Sequence, residues 1–284
     1  MAYKPISSRQ IDNAAALPNI GTPAFETLDI ILADIDSALS GAGGGGTGYT
    51  AKQIPLTSGI SSYSVSIPAQ PDTSYTVFAL MENLVDTFPI FQEPLITNKT
   101  TTGFTVEFNT PLPSSNYILS FIIPYKSSSQ GETDLSLGAN SVSTILPIVQ
   151  PYSGYAVISA VENYGDANPQ FQTAVVSSTS TTAFATSVNG PTQSANYVAS
   201  YVLNIGAYAN IGSGANSVTV NLPINYNTSS YGVITGMINT TDSNPQFQPL
   251  LITAKTDTSF TVSFNAGTLT SNYVLYYYAI SLSS

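Results

Sequence analysis

The chain has 284 residues and a net charge of −10; 43% of its residues are hydrophobic and only 8% are charged. That leaves room for roughly two or three domains with cores of their own. The basic residues Lys4, Arg9, Lys52, Lys99, Lys126 and Lys255 are too few and too scattered for the counterion-displacing stripe that nucleic acid requires. With no Cys and no His, disulfides, thiolate metal sites and every His-dependent triad are excluded.

Residues 1–22 are broken by Pro5 and Pro18 and read as an anchor arm that orders on a partner. They lack the apolar run of a secretory signal, so synthesis in the cytoplasm is expected, and no stretch approaches the length of a membrane span. Residues 23–40 carry the helical signal: Thr22-Pro23 resembles a cap with proline at the first helical position, and Glu26 and Asp29 suit the first turns. Phe25, Leu28, Leu32, Ile35 and Leu39 alternate at spacings of three and four, a coiled-coil-like seam for which self-association is preferred over packing of an amphipathic helix on its own β domain. Helices this short need partners, and a homotrimer is the expected state. A glycine-rich hinge at residues 41–50 follows.

From residue 51 the chain says the same thing three times. Tyr75, Tyr155 and Tyr231 stand 80 and 76 residues apart and open stretches that align without a gap. Each stretch repeats an Asn (83, 163, 239), an Asp (86, 166, 242), a Phe-Gln pair (91–92, 171–172, 247–248) and a closing Asn-Tyr pair. Short alternating segments such as Phe260-Thr-Val-Ser-Phe264 between Ser/Thr/Asn/Pro turns are half-buried strands. The expected fold is therefore mainly β: three tandem small antiparallel β-sandwich domains at 51–127, 128–207 and 208–284, preceded by the arm and helix. The second copy has Thr186 where the others have Val106 and Val262, which predicts a thinner core there. Units this small bury little surface, so stacking or packing about a threefold axis would compensate.

Two chemistries can be weighed at the repeated loops. Glu82 with Asp86, and Glu162 with Asp166, place oxygens as calcium would need, although Ile238 breaks the pattern in the third copy. Asp and Asn also hold turns through their own backbone, which is the preferred reading; no metal or cofactor is assigned. Asn83, Asn163 and Asn239, with Tyr164 and Tyr226, could read sugar hydroxyls from an aromatic platform, against the alternative that residues repeated in every copy are architecture. No paired-acid cleft and no phosphate-binding glycine loop is legible, so no enzyme is expected.

The phrase Thr102-Gly-Phe-Thr-Val-Glu-Phe108 followed by Ser115-Asn-Tyr-Ile-Leu-Ser-Phe121, echoed in Thr258–Phe264 and Ser271–Tyr276, resembles a β module of bacteriophage virion proteins. The layout of arm, short helix, glycine hinge and polar β domains is similar to phage head fibres and capsid decoration proteins. The resemblance implies a structural virion protein on the particle surface. It would dock on a capsid or neighbouring shell component through its N-terminus and project adhesive domains. The alternative is a tail fibre or a lectin-like receptor-binding protein for a host-surface glycan, because the repeats also resemble H-type lectin modules, which assemble as trimers. No sugar-binding residue is carried over from that likeness, since the repeats have no Arg and no Trp.

Overall fold

The computed structural model describes residues 49–124, 129–203 and 206–282. The association residues Phe25, Leu28, Leu32, Ile35 and Leu39, with the arm and hinge, lie outside them. Residues 49–284 form one compact unit. Among the described residues there is no helix, and hence none long and apolar enough to cross a membrane.

Each repeat supplies six strands. The first gives β1 (Tyr49–Pro55), β2 (Ser62–Ser66), β3 (Phe78–Asn83), β4 (Leu95–Thr100), β5 (Gly103–Glu107) and β6 (Tyr117–Pro124). The second gives β7 (Gln130–Leu135), β8 (Ser141–Ile145), β9 (Val157–Asn163), β10 (Ala174–Thr179), β11 (Ala183–Val188) and β12 (Tyr197–Leu203). The third gives β13 (Ala207–Ile211), β14 (Ser217–Asn221), β15 (Tyr231–Asn239), β16 (Leu250–Lys255), β17 (Ser259–Phe264) and β18 (Tyr273–Ser281).

The sheets are not confined to single repeats: they run across the expected domain boundaries. Among the described residues the strands form three six-stranded sheets: β1-β6-β3-β16-β17-β14, β13-β18-β15-β10-β11-β8 and β2-β5-β4-β9-β12-β7. Each takes three strands from one repeat and three from another. Pairing inside a repeat is antiparallel, whereas the joins are parallel: β4 with β9, β10 with β15, and β16 with β3. The first repeat therefore hands a strand to the second, the second to the third, and the third back to the first. The ring is closed, and its threefold pattern lies within one chain. The physical reason is that β3 and its counterparts each leave one strand edge unpaired within their own repeat, and a buried edge needs backbone partners.

Within each repeat the two three-stranded layers face each other across an apolar core. In the first repeat Phe104, Val106 and Phe108 of the outer layer meet Tyr117, Leu119 and Phe121 of the inner layer, with Phe104 and Phe121 edge to face at 5.2 Å. The third repeat has the same arrangement around Phe260 and Tyr277. In the second, the buried apolar residues fall into two clusters. Hydroxyl pairs stand at the interruption, Thr133 with Thr144 at 2.9 Å and Ser159 with Thr186 at 3.0 Å. A further cluster joins all three copies: Phe78, Ile158 and Ile234 occupy equivalent positions and pack with Ile122, Val202 and Ile280. Gly236 belongs to this junction, because a Cβ there would stand 3.1 Å from the Ile158 Cα where β15 crosses β9.

Candidate functional site: the turns and the seams between repeats

The repeated polar residues build one turn three times. After β3, Asn83 Oδ1 accepts the backbone N–H of Asp86 at 2.8 Å, and Asn83 Nδ2 returns a bond to Asp86 Oδ2 at 2.8 Å. Ser114 and Asn116 Nδ2 donate to the same carboxylate at 2.6 and 2.5 Å. Asn163, Asp166, Ser194 and Asn196 repeat the arrangement, and Asn239, Asp242, Thr270 and Asn272 a close variant in which Asn239 Nδ2 donates to the Asp242 carbonyl. These side-chain donors hold all three aspartates below the usual carboxylate range. A carboxylate surrounded by N–H and O–H donors has its lone pairs occupied, which is unlike a calcium site. Among the described residues no group of three or more acidic side chains is placed to hold a metal.

The same logic places the other repeated residues. The hydroxyl oxygens of Tyr117 and Tyr273 accept the backbone N–H of Ile90 and Gln246, each at 2.6 Å, and Tyr197 accepts that of Gln170. The Gln92 amide clamps Thr110 through both its atoms. Of the sugar-reading candidates, Asn83, Asn163 and Asn239 are each 1% exposed and each closes its own turn, so they do not converge on a ligand. Tyr226 stacks on Tyr231 at 4.7 Å and donates to the Ala279 carbonyl at 2.7 Å. Tyr164 is 42% exposed, with its ring 4.9 Å from Lys99 Nζ.

What distinguishes the copies lies at the joins. At the seam between the third and first repeats, Lys255 of β16 reaches both oxygens of Glu82 on β3 at 3.1 and 3.2 Å. Gln53 Nε2 donates to Glu82 at 2.8 Å, and the Ser120 hydroxyl donates to the same oxygen. The Lys255 ammonium also sits 4.4 Å from the Tyr231 ring centroid. Burial pushes this lysine below its ordinary value while Glu82 pulls it back. At the seam between the first and second repeats, Lys99 of β4 lies 2.5 Å from Glu162 of β9 and 2.7 Å from Glu132 of β7. Burial pushes the Glu162 carboxyl above its usual range against the attraction of Lys99. Both lysines and both strand glutamates are buried.

The third seam has no such pair. Thr179 of β10 takes the lysine position and Ile238 of β15 the glutamate position. Where the other seams place Gln53 beside Ser120, and Glu132 beside Ser200, this one places Tyr208 beside Tyr276, with ring centroids 5.9 Å apart. Tyr208 is 60% exposed, as is Tyr152 at 61%. Tyr152 and Tyr208 together raise the Tyr276 hydroxyl, which burial has already pushed up, so the three phenols share one neighbourhood. Sequence reasoning noticed Ile238 as a departure but not its mirror, Thr179 for Lys99 and Lys255. Reading the copies for where they differ would have exposed both the ion pairs and the tyrosines.

Two features at these seams bear on chemistry: buried acid–base pairs, suited to holding strands, and an exposed aromatic surface, suited to contact. Compared with known proteins, the chain matches no family model, no curated protein and no solved structure.

Proposed function

We propose that the chain is a structural virion protein of a bacteriophage, a head fibre or capsid decoration protein, which docks through roughly residues 1–40 and presents residues 49–284 at the particle surface. The observation that carries this reading is the closed ring. Its recurring polar residues are consumed in its own turns and seams, which favours a durable displayed body over a catalytic cleft. The sparse charge and the hydroxyl- and amide-rich surface suit many weak contacts multiplied by copy number. The threefold pattern inside the chain supplies the mutual packing that small repeats need, so the homotrimer rests on the 23–40 seam alone. The test is immunogold labelling of purified virions with antibody against residues 49–284. Label over the head supports the reading, and particles without label reject it.

A second reading, a tail fibre or lectin-like receptor-binding protein, is favoured by the exposed Tyr152 and Tyr208 rings beside Tyr276, since aromatic faces with hydroxyl edges suit saccharide rings. It expects residues 49–284 to bind a glycan array and Tyr208→Ala to abolish the signal. An array blank for the parent protein rejects it.

A further inference from the structure

A cavity of about 300 Å³ opens where the three repeats meet. Its wall includes Phe91 and Glu93 from the first repeat, Phe171 and Thr173 from the second, and Pro249 from the third. Glu93, Thr173 and Pro249 are equivalent positions, so the fold itself has no need of an acid there. Two of the other polar side chains in the wall are engaged: the Gln92 amide bonds both backbone groups of Thr110, and Asn189 Oδ1 accepts the Thr173 N–H at 2.9 Å. The Glu93 carboxyl has no hydrogen-bond or ion-pair partner among the described residues. Every other residue of the wall is uncharged, and desolvation alone pushes this carboxyl up to about 8. The two fully buried carboxylates among the described residues, Glu82 and Glu162, are each paired with a lysine, whereas the half-buried Glu93 faces the cavity unpaired and can take a partner from outside.

We propose that the Glu93 cavity binds a small organic cation of the ammonium class, with the Glu93 carboxylate as counter-ion and the phenylalanines Phe91 and Phe171 as its aromatic wall. A cation held against aromatic faces and a desolvated carboxylate gains more than it would in water. The volume is at the lower end of ligand pockets and admits a group the size of a quaternary ammonium. Because the empty site keeps Glu93 protonated near neutrality, binding expels that proton. Affinity therefore rises as the pH approaches 8 and levels beyond it. The inference stands independently of the virion reading.

The test is calorimetric titration of the full chain with tetramethylammonium, whose charge does not titrate, at pH 6, 7, 8 and 9 and constant ionic strength. Saturable binding is expected at pH 9, weakening about tenfold per unit below pH 7 in step with the protonation of Glu93. Glu93→Gln, which keeps the shape, should lose at least tenfold at pH 9 and show no pH dependence. tert-Butanol, of similar shape without charge, should not distinguish the two proteins. No saturable binding at pH 9, equal affinity in Glu93→Gln, or a flat pH profile in the parent would each overturn the proposal.

Discussion

Removing one member of the Lys255–Glu82 pair should damage the fold far more than removing both. Lys255 and Glu82 are buried, joined at 3.1 and 3.2 Å, and separated by 173 residues in sequence, so the pair fastens the end of the ring to its beginning. Among the described residues Glu82→Ile leaves the ammonium the Tyr231 carbonyl and ring, while Lys255→Thr leaves a carboxylate held by Gln53 and Ser120. Stranding one buried charge costs about 3–5 kcal/mol, whereas exchanging a whole buried pair for apolar residues is often neutral or stabilising. The third seam already carries the doubly exchanged state, with Ile238 and Thr179 in these positions. Each single variant should therefore lose about 3–5 kcal/mol, and Glu82→Ile/Lys255→Thr should recover most of it, a coupling of several kcal/mol. The assay is urea unfolding monitored by tyrosine fluorescence and circular dichroism, with coincident transitions as the check on two-state behaviour. The lysine adds a sign. Its folded value is already lowered by burial, and without Glu82 it falls further, so the folded state prefers it neutral. Glu82→Ile should then regain stability as pH rises from 7 towards 10 more than the parent does. Singles within about 1 kcal/mol of the parent, or a double variant as unstable as the sum of the singles, would refute the reasoning.

Other expectations follow from the same contacts. Asp86, Asp166 and Asp242 are held below the usual carboxylate value, so their stabilisation is present above the unfolded value near 3.8 and is lost as pH falls through the folded ones; urea midpoints should drop below pH 4. Glu93 has the opposite sign: raised from 4.5 to about 8, it favours the folded state fully below its unfolded value and progressively less as pH rises through 8. The midpoint should therefore decline from pH 5 to 9 in the parent and not in Glu93→Gln. Tyr117→Phe leaves the Ile90 N–H without its acceptor in a part-buried site and should cost about 1–3 kcal/mol, as should Tyr273→Phe at Gln246; equal stability by urea titration would count against the architectural role of these repeated tyrosines. Ile234→Ala empties part of the cluster shared by all three repeats, so about 2–5 kcal/mol should be lost in one transition; a separate early transition for one repeat would mean the sheets do not couple them.

The strand pattern was legible because the outer strands are buried on one face only. In β17, Phe260, Val262 and Phe264 are buried while Ser259, Thr261 and Ser263 are partly exposed, and the sequence alternates accordingly. The joins were not read, although a signal for them exists. β3 and β15 are buried almost throughout, and their sequences Phe78-Ala-Leu-Met-Glu-Asn83 and Tyr231-Gly-Val-Ile-Thr-Gly-Met-Ile-Asn239 are nearly continuous apolar runs. Such runs mark strands covered on both faces, as parallel pairing inside a larger assembly requires. Alternation reports a strand's faces; nothing in it names the strand at the edge, and antiparallel neighbours were assumed where parallel ones from another repeat are found. The first strand of each repeat carries a weak signal, because β7 and β13 are short and each fully buries a single residue, Leu135 and Ile211. At the loops, the repeated asparagines drew attention because they recur, yet recurrence across copies within one ring signals shared geometry, and their burial confirms that use.

The order of the ring has a chemical explanation in the residues that differ. Three similar repeats could close in either direction, and the backbone hydrogen bonds of the parallel joins would be the same both ways. As built, Lys99 meets Glu162 and Lys255 meets Glu82, while the third seam carries Thr179 and Ile238 at the equivalent positions. In the reverse order β16 would still place Lys255 against Glu162, but β4 would bury Lys99 against Ile238 and β10 would set Thr179 against Glu82. Two stranded charges at about 3–5 kcal/mol each are comparable with the whole stability of an ordinary domain, so the pairing code selects one closure. The seam released from the code carries the exposed Tyr208 beside Tyr276, and at the junction Glu93 stands where the other copies have Thr173 and Pro249. Repetition supplies the frame of this protein, and its individuality is concentrated where the copies disagree.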